Sequence, residues 1–290
     1  MIALGNPWYV RIPDCLLCVL ESRFSELRRL GISDVRAFTD LGRAVMDLAP
    51  LGRAAVFVES FNHMAKSLGI ADPHADEKAL LERVANDLIS RLGLGGDDVV
   101  DYVRLAASAN SVDIPMRGYD FRVEDFVNRI LEEPAWLGTD PAGLRGRLGS
   151  ARSVAYLVDN AGEFQFDLLL IRKLSSMGVR VVVYAKGRPY EVDVTYDYVA
   201  SKVGNAEVRA LPGNYSAFWY DSIVKELAGF DLVISKGLDN LETFMERRPS
   251  LNNVLFLFRA KCPLIAGLFN VGWGRPVVSL GLNLAANQAQ

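Results

Sequence analysis

The chain has 290 residues, of which 50% are hydrophobic and 23% charged, and its formal net charge is −3 at pH 7. That composition is ordinary for a globular protein of one large domain or two modest ones. The absence of a basic run of five or more residues argues against a nucleic-acid partner, and the absence of an apolar run of roughly 18–20 residues argues against a membrane span.

The first half of the chain, up to residue 148, has apolar residues at helical spacing. The first stripe runs from Leu16 to Leu30 and is followed by Gly31, a residue suited to the end of a helix. Four further amphipathic stretches predict helices at residues 35–46, 51–68, 76–92 and 98–108. Since no alternating strand pattern occurs here, residues 1–148 are predicted to form an all-helical domain.

Residues 149–290 have a different pattern, in which short apolar runs alternate with amphipathic stretches of helix length. The runs predict strands at residues 153–158, 179–184, 207–211, 231–234, 254–258 and 276–280. The stretches predict helices at residues 164–177, 196–203, 216–228 and 241–247. This alternation indicates an α/β domain whose mostly parallel sheet is covered on both faces. Residues 133–146, which contain prolines and glycines, are the predicted connection between the domains.

Charged and amide residues come just after several of the predicted strands, where ligands of open parallel sheets bind. Asp159 and Asn160 follow the first strand, Asp193 comes shortly after the second, and Lys236 and Lys261 follow two later strands. We therefore expect a cation site beside an anion site at one edge of the sheet. Each residue alone has a simpler interpretation as a turn, cap or solvated loop, and only their joint occurrence favours a site.

The residue types suggest phosphate chemistry. Asp159, Asn160 and Asp193 offer hard oxygen ligands suited to Mg²⁺ or Mn²⁺, with positions left for water and substrate. A metal-activated water would attack phosphorus while the cation polarises the ester. The helix expected near Glu163 would direct backbone N–H groups at a phosphate, and the two lysines would neutralise its oxygens.

Seven motifs carry a resemblance to a known family. Four lie in the second half, VDNAGEFQFDLLLIRKL, KGRPYEVDVTYD, SKGLDNLE and FRAKCP, and three in the first, PDCLLC, DPHADEK and ANSVD. In this order they resemble the metal-dependent damage-control phosphatase family, over roughly residues 13–272. His74 departs from the family's pattern, because a tyrosine is common at its position.

The resemblance implies a Rossmann-like three-layer α/β domain with a helical N-terminal region packed on it. It implies hydrolysis of phosphomonoesters of small metabolites, such as sugar phosphates or damaged phosphorylated cofactors, with Mn²⁺, Ni²⁺, Co²⁺ or Mg²⁺. Carried over by motif, the metal ligands are Asp159, Asn160 and Asp193, and the catalytic residues are Asp159 and Glu163. The residues that match phosphate or substrate binding are Lys236, Gly237, Asn240, Lys261, Asn110 and Asp113.

The three cysteines have two interpretations. Cys15 and Cys18 lie three residues apart on a predicted helix, so both thiols face the same way, and the simpler interpretation is that they are small core residues. The prokaryotic branch of the family carries a similar CxxC and Lys-Cys, which leaves open a thiol site with Cys262. An odd, small number of cysteines and an N-terminus unlike a signal peptide favour a reducing cytoplasm.

Three rival functions stay open. A haloacid dehalogenase-type phosphatase would use Asp159 as nucleophile, but Ala161 stands where its second aspartate, the general acid, would be. A Rossmann-type methyltransferase would need a glycine-rich turn after the first strand, where only Gly162 occurs. A phosphometabolite-binding protein would have the same site without turnover. The physiological substrate and the oligomeric state leave no trace in the sequence.

Overall fold

The computed structural model describes residues 12–93, 96–111 and 128–284. In these ranges the first helices are α1 (Ile12–Arg29), α2 (Val35–Leu48), α3 (Arg53–Leu68), α4 (Ala75–Leu92) and α5 (Val99–Ala109). Asp34 and Asp98 cap α2 and α5 by accepting hydrogen bonds from the backbone, which is why these helices begin where they do. No helix in the described ranges is both long and apolar enough to cross a membrane.

A seven-stranded sheet organises the described part of the second half. Its strands are β1 (Ala135–Leu137), β2 (Ser153–Leu157), β3 (Arg180–Ala185), β4 (Glu207–Ala210), β5 (Leu232–Lys236), β6 (Val254–Arg259) and β7 (Pro276–Leu280). Their order is β1-β7-β6-β5-β2-β3-β4, and every neighbouring pair is parallel except β6 with β7. The predicted α/β class with a mostly parallel sheet is therefore confirmed.

Helices cover both faces of the sheet. They are α6 (Pro141–Ser150), α7 (Ala161–Ser176), α8 (Tyr196–Ala200), α9 (Asp221–Leu227), α10 (Gly237–Arg247) and α11 (Pro263–Phe269). Tyr156 and Val183 enter the core formed with α5, α6 and α7, whereas Leu157 and Tyr184 enter the core formed with α9, α10 and α11. Burial on both faces explains why the strands are continuous apolar runs. The finer description of this sheet as Rossmann-like stays a prediction.

The segment predicted as an inter-domain connection, residues 133–146, includes secondary structure that the sequence did not predict. It contains β1, which pairs with β7, and the start of α6, which Asp140 caps by accepting from the Gly143 N–H at 2.7 Å. A strand of three residues is too short to show an alternating pattern. The helices α4 and α5 also pack directly on α7. The domain boundary at residue 148 stays a prediction.

His74, the residue that replaces the family's common tyrosine, is 2% exposed. Its ring stacks on Phe61 with centroids 6.0 Å apart, its Nε2 lies 3.4 Å from a Glu26 oxygen, and its Nδ1 contacts Glu77. Burial by itself lowers the pKa of His74, but the contacts with the two glutamates outweigh it and raise the pKa to about 9. The histidine is therefore a buried cation that joins α1, α3 and α4.

We expect His74→Gln to lower stability more at neutral than at alkaline pH. The pKa of His74 is raised from 6.5 to about 9, so its contribution is fully present below pH 6.5 and is lost as the pH rises through about 9. Urea unfolding at neutral and at alkaline pH measures how much free energy of unfolding the variant has lost. This loss should be smaller at alkaline pH, by ~3 kcal/mol at most. His63→Gln, at an exposed pair with Asp40, is the control. A deficit that does not change with pH would contradict this assignment.

Candidate active site

The carboxyl ends of the parallel strands bring predicted site residues together at one edge of the sheet. The turn after β2 carries Asp159 and Asn160, which are 5% and 3% exposed, and α7 begins directly after them with Asn160 at its N-cap position. The end of β6 leads to Lys261, which is 2% exposed. Four carboxyl ends, those of β2, β3, β5 and β6, share this edge because these strands are parallel. The side chains that could bind a metal ion thus lie near the buried ammonium group of Lys261.

Asp193 reaches this edge through the loop between β3 and α8. Asn160 and Asp193 form an isolated antiparallel bridge, and the Ala161 N–H donates to the Val192 carbonyl at 2.9 Å. Main-chain contacts therefore hold the end of this loop against the start of α7. Burial raises the pKa of Asp193 above its usual range, against the effect of nearby Lys186.

Lys186, at the end of β3, is a charged residue of the site that was not among the predicted site residues. Its ammonium donates to Asp193 Oδ2 at 2.5 Å and to Asp239 Oδ2 at 2.7 Å, and lies 4.3 Å from the ring centroid of Tyr190. Burial would lower the pKa of Lys186, but the two carboxylates outweigh burial and raise it. The lysine is therefore charged and balances the carboxylates at this edge.

Asn110, at the end of α5, links the helical half to the site. Its Nδ2 donates to Asp159 Oδ2 at 3.1 Å and to Glu163 Oε2 at 2.5 Å, and its Oδ1 accepts from the Arg259 N–H at 3.0 Å. One amide thus fixes the orientation of Asp159 relative to α5, α7 and β6. Asp113, the other residue predicted from this motif, lies outside the described residues.

A cluster of fully buried charges lies next to the turn. Lys236 Nζ donates to Asp167 Oδ1 at 2.7 Å and to the Ala106 carbonyl at 2.7 Å, and lies 3.5 Å from Glu163 Oε1. The Tyr156 hydroxyl also donates to Asp167, at 2.8 Å. Burial raises the pKa of Glu163 to about 7, against the effect of Lys236. Glu163 can therefore take up or release a proton near neutral pH.

Gly237, the first residue of α10, approaches the site more closely than any other residue type could. Its φ is +73°, in the left-handed region, and a Cβ at this position would lie 1.7 Å from Asp159 Oδ2. Glycine is required both by the backbone conformation and by the space that Asp159 occupies.

The fit of a divalent metal depends on an amide as well as carboxylates. Across residues 12–93, 96–111 and 128–284, no group of three or more His, Cys, Asp or Glu has an arrangement that could hold a metal. Asp159 and Asp193 supply only two carboxylates, so Asn160 would have to supply the third ligand. The side chain of Asn160 is buried and its Nδ2 has no hydrogen-bond partner. This donor suits an acceptor such as water or a phosphate oxygen, whereas Oδ1 is the atom that could bind a cation. The three residues therefore fit a hard cation completed by water and substrate.

Comparison with known proteins finds relatives over most of the chain. The family model of the damage-control phosphatase ARMT1-like domain matches residues 14–277. The chain belongs to this family. A damage-control phosphatase of Archaeoglobus fulgidus is 28% identical over 229 residues, which are 73% of this chain and 77% of that protein. One from Pyrococcus horikoshii is 26% identical over 275 residues, which are 87% of this chain and 92% of that protein.

A solved structure of the same fold is known from Pyrococcus horikoshii. The crystal structure of a DUF89 family protein from this organism matches with a TM-score of 0.75 and 22% sequence identity, over 93% of this chain and 98% of that chain. At that identity the likeness concerns the fold, a mixed α/β architecture. The family resemblance that the seven motifs indicated is confirmed. Membership of a branch defined by the N-terminal CxxC stays a prediction.

Two residues predicted to bind substrate in this damage-control phosphatase family member make contacts within the protein. The ammonium of Lys236 contacts Asp167, and the Asn240 amide donates to the Lys236 carbonyl at 2.8 Å and the Val158 carbonyl at 3.4 Å. Both side chains stabilise the ends of β2 and β5, and their role in substrate binding stays a prediction. Lys261 lowers the pKa of Glu163, as a cation at the predicted anion site would.

The three cysteines lie in one region, and Cys262 directly follows Lys261 of the candidate site. Cys15 and Cys18 of α1 and Cys262 before α11 are close enough to influence one another, and Arg53 and Glu242 lie nearby. Burial raises the pKa of Cys15 to about 12 and that of Cys18 to about 11. The buried Cys15 and its two partly buried neighbours fit the interpretation as small core residues. A thiol site stays a prediction.

Three charged residues of the site escaped prediction, although the sequence contained a signal for each. Lys186 directly follows the apolar run of β3, so the rule about strand ends applies to it. Asp167 lies four residues after Glu163, on the same face of α7 and among apolar neighbours. Asp239 lies in the first turn of α10, immediately after β5. A charge inside an otherwise apolar helix is the signal that deserved most weight.

Proposed function

We propose that this protein hydrolyses phosphomonoesters of small metabolites, with a divalent metal ion as cofactor. The observation that supports this most is the meeting of Asp159, Asn160 and Asp193 near the buried Lys261 and at the N-terminus of α7. Catalysis of phosphoryl transfer consists mainly of positioning and of stabilising charge, which such a combination provides. Sugar phosphates and damaged phosphorylated cofactors are the substrate class to test.

The side chains of the site have different roles in the proposed reaction. Asp159, Asn160 and Asp193 would hold the cation, which when bound would polarise the phosphoryl group and make water more acidic. Lys261 and the first-turn N–H groups of α7 would bind phosphate oxygens. Asn110 keeps Asp159 in place through its hydrogen bond. Glu163, with a pKa of about 7, would exchange a proton near the pH at which the reaction runs.

Water, rather than Asp159, is the attacking group in this proposal. An aspartyl-phosphate mechanism would need an acid two residues after Asp159, where Ala161 lies buried with its N–H bonded to Val192. The Asp159 Oδ2 also accepts a hydrogen bond from Asn110 at 3.1 Å, which reduces its nucleophilicity. Trapping of a phosphate-derived adduct on Asp159 would overturn this assignment.

An assay with p-nitrophenyl phosphate and a panel of sugar phosphates tests the proposal, with Mn²⁺, Co²⁺, Ni²⁺ and Mg²⁺ supplied in turn. We expect activity with at least one ion and loss of activity on chelation. Asp159→Asn and Asp193→Asn should each lower kcat/KM by ~10³-fold or more, because the cation contributes several kcal/mol and each ~1.4 kcal/mol corresponds to a factor of ten.

Asp87→Asn, at an exposed ion pair with Arg91, is the matched control and should keep wild-type activity. Activity that is absent with every ion, or that survives in both site variants, would refute the proposal. Binding of phosphorylated metabolites without turnover would favour a phosphometabolite-binding protein. Binding of S-adenosylmethionine without hydrolysis would favour a methyltransferase.

A further inference from the structure

A buried arginine of α1, Arg23, connects the helical half to the loop that carries Asp193. The Arg23 side chain is 0% exposed, donates to Ser60 Oγ at 3.0 Å and to the Phe57 carbonyl at 3.1 Å, and contacts Glu26. It also donates to Glu191 Oε1 at 2.6 Å. A planar guanidinium can satisfy all these acceptors at once, because its five N–H groups are fixed in one plane.

Glu191 has a backbone conformation that its residue type disfavours. Its φ is +39°, and in the described residues the only other non-glycine residues with positive φ are Arg248 and Asn270. Those two lie at the C-terminal ends of α10 and α11, where a left-handed residue is common. Glu191 ends no helix. A strained residue of this kind persists only when its surroundings hold it in place, and such strain occurs often at functional sites.

The strained residue lies inside the turn that delivers Asp193. The Asp193 N–H donates to the Tyr190 carbonyl at 3.0 Å, which closes a turn with Glu191 in its middle. The Tyr190 ring packs on Phe61, with centroids 5.3 Å apart. Directly after the turn, the Val194 N–H donates to the Asp159 carbonyl at 2.9 Å. A change at Glu191 would therefore move Asp193 relative to Asp159.

We propose that Arg23 is a positioning residue of the metal site: by binding Glu191 it holds the turn in the conformation that places Asp193 beside Asn160. The inference rests on the proposed function, in which Asp193 is a metal ligand. Arg23 itself touches neither metal nor substrate, and its contact with Glu191 spans 168 residues of sequence. Loss of partners that orient metal ligands typically costs ~10–100-fold in metal affinity.

Mn²⁺ binding, followed by the electron paramagnetic resonance signal of the free ion, tests the inference on the whole protein without an activity assay. Arg23→Lys keeps the charge but loses the planar fork, and should weaken Mn²⁺ binding by ~10-fold or more. Glu191→Ala should have a similar effect. Glu191→Gly should lose less affinity than Glu191→Ala, because glycine adopts the left-handed conformation without strain.

Arg91→Lys, at an exposed pair on α4, is the matched control, and unfolding curves verify that each variant is folded. Folded Arg23→Lys and Glu191→Ala proteins that bind Mn²⁺ as tightly as the wild type would overturn the inference alone, and so would a Glu191→Gly protein as weak as Glu191→Ala. A wild-type protein that binds no Mn²⁺ would overturn the metal site and this inference with it. Weakened binding in both variants with partial recovery in Glu191→Gly supports the inference.

Discussion

Gly237→Ala should inactivate the protein and destabilise it. The new Cβ would lie 1.7 Å from Oδ2 and 2.3 Å from Cγ of Asp159, so either this carboxylate or the start of α10 must move. A shift of about 1 Å at a catalytic group can cost ~10²-fold in rate. An alanine in the left-handed region adds roughly 1–2 kcal/mol of backbone strain. Measurements of kcat/KM and of the urea midpoint check both parts of the expectation.

Gly31→Ala is a control that introduces the backbone strain expected of Gly237→Ala without its steric clash. Gly31 has a φ of +75°, close to that of Gly237, but no heavy atom lies within 4 Å of its Cβ position. We expect Gly31→Ala to lose stability by the strain alone and to keep full activity. Equal effects of the two substitutions on rate and stability would mean that the close approach of Gly237 to Asp159 has no functional role.

Lys236→Met should have the largest effect on stability. Lys236 is fully buried between Asp167 and Glu163, so its removal leaves two buried carboxylates without their cation. Breaking a buried ion pair in this way costs roughly 3–5 kcal/mol. The pKa values of the two carboxyl groups in the folded protein would rise further. A carboxyl group whose pKa is raised by folding lowers the free energy of unfolding as the pH rises. The free energy of unfolding should therefore fall more at pH 8 than at pH 5.

Lys225→Met, an exposed position on α9, is the matched control and should change stability little. The double variant Lys236→Met/Asp167→Asn should be more stable than Lys236→Met alone, because it removes one of the two uncompensated charges. Additive losses in this double-mutant cycle would show that Lys236 and Asp167 are not energetically coupled.

The fold class could be predicted because buried parallel strands leave a strong pattern in the sequence. In β2, four of five residues are buried, and they form the continuous apolar run that follows residue 153. The antiparallel direction of β7 left no such sign, since direction depends on the path of the chain between Arg259 and Pro276. The three-residue strand β1 was missed because three residues are too few to show an alternating pattern.

The candidate site was predicted in position but not in the orientation of its side chains. The rule about strand ends correctly brought Asp159 and Asp193 to one edge, where a main-chain bridge joins Asn160 and Asp193. It could not show that Lys236, the last residue of β5, directs its ammonium at Asp167 of α7. Orientation depends on contacts between residues distant in sequence, and no local pattern records them.

The three hydrogen bonds of Asn110 have a consequence for how the protein folds. They join α5 to Asp159, 49 residues away, and to Arg259, 149 residues away. Contacts of such long range form late, because closing a long loop of chain precedes any gain from them. The early steps of folding should therefore precede the proposed cation site, so that a bound metal would slow unfolding while leaving those steps at their metal-free rate.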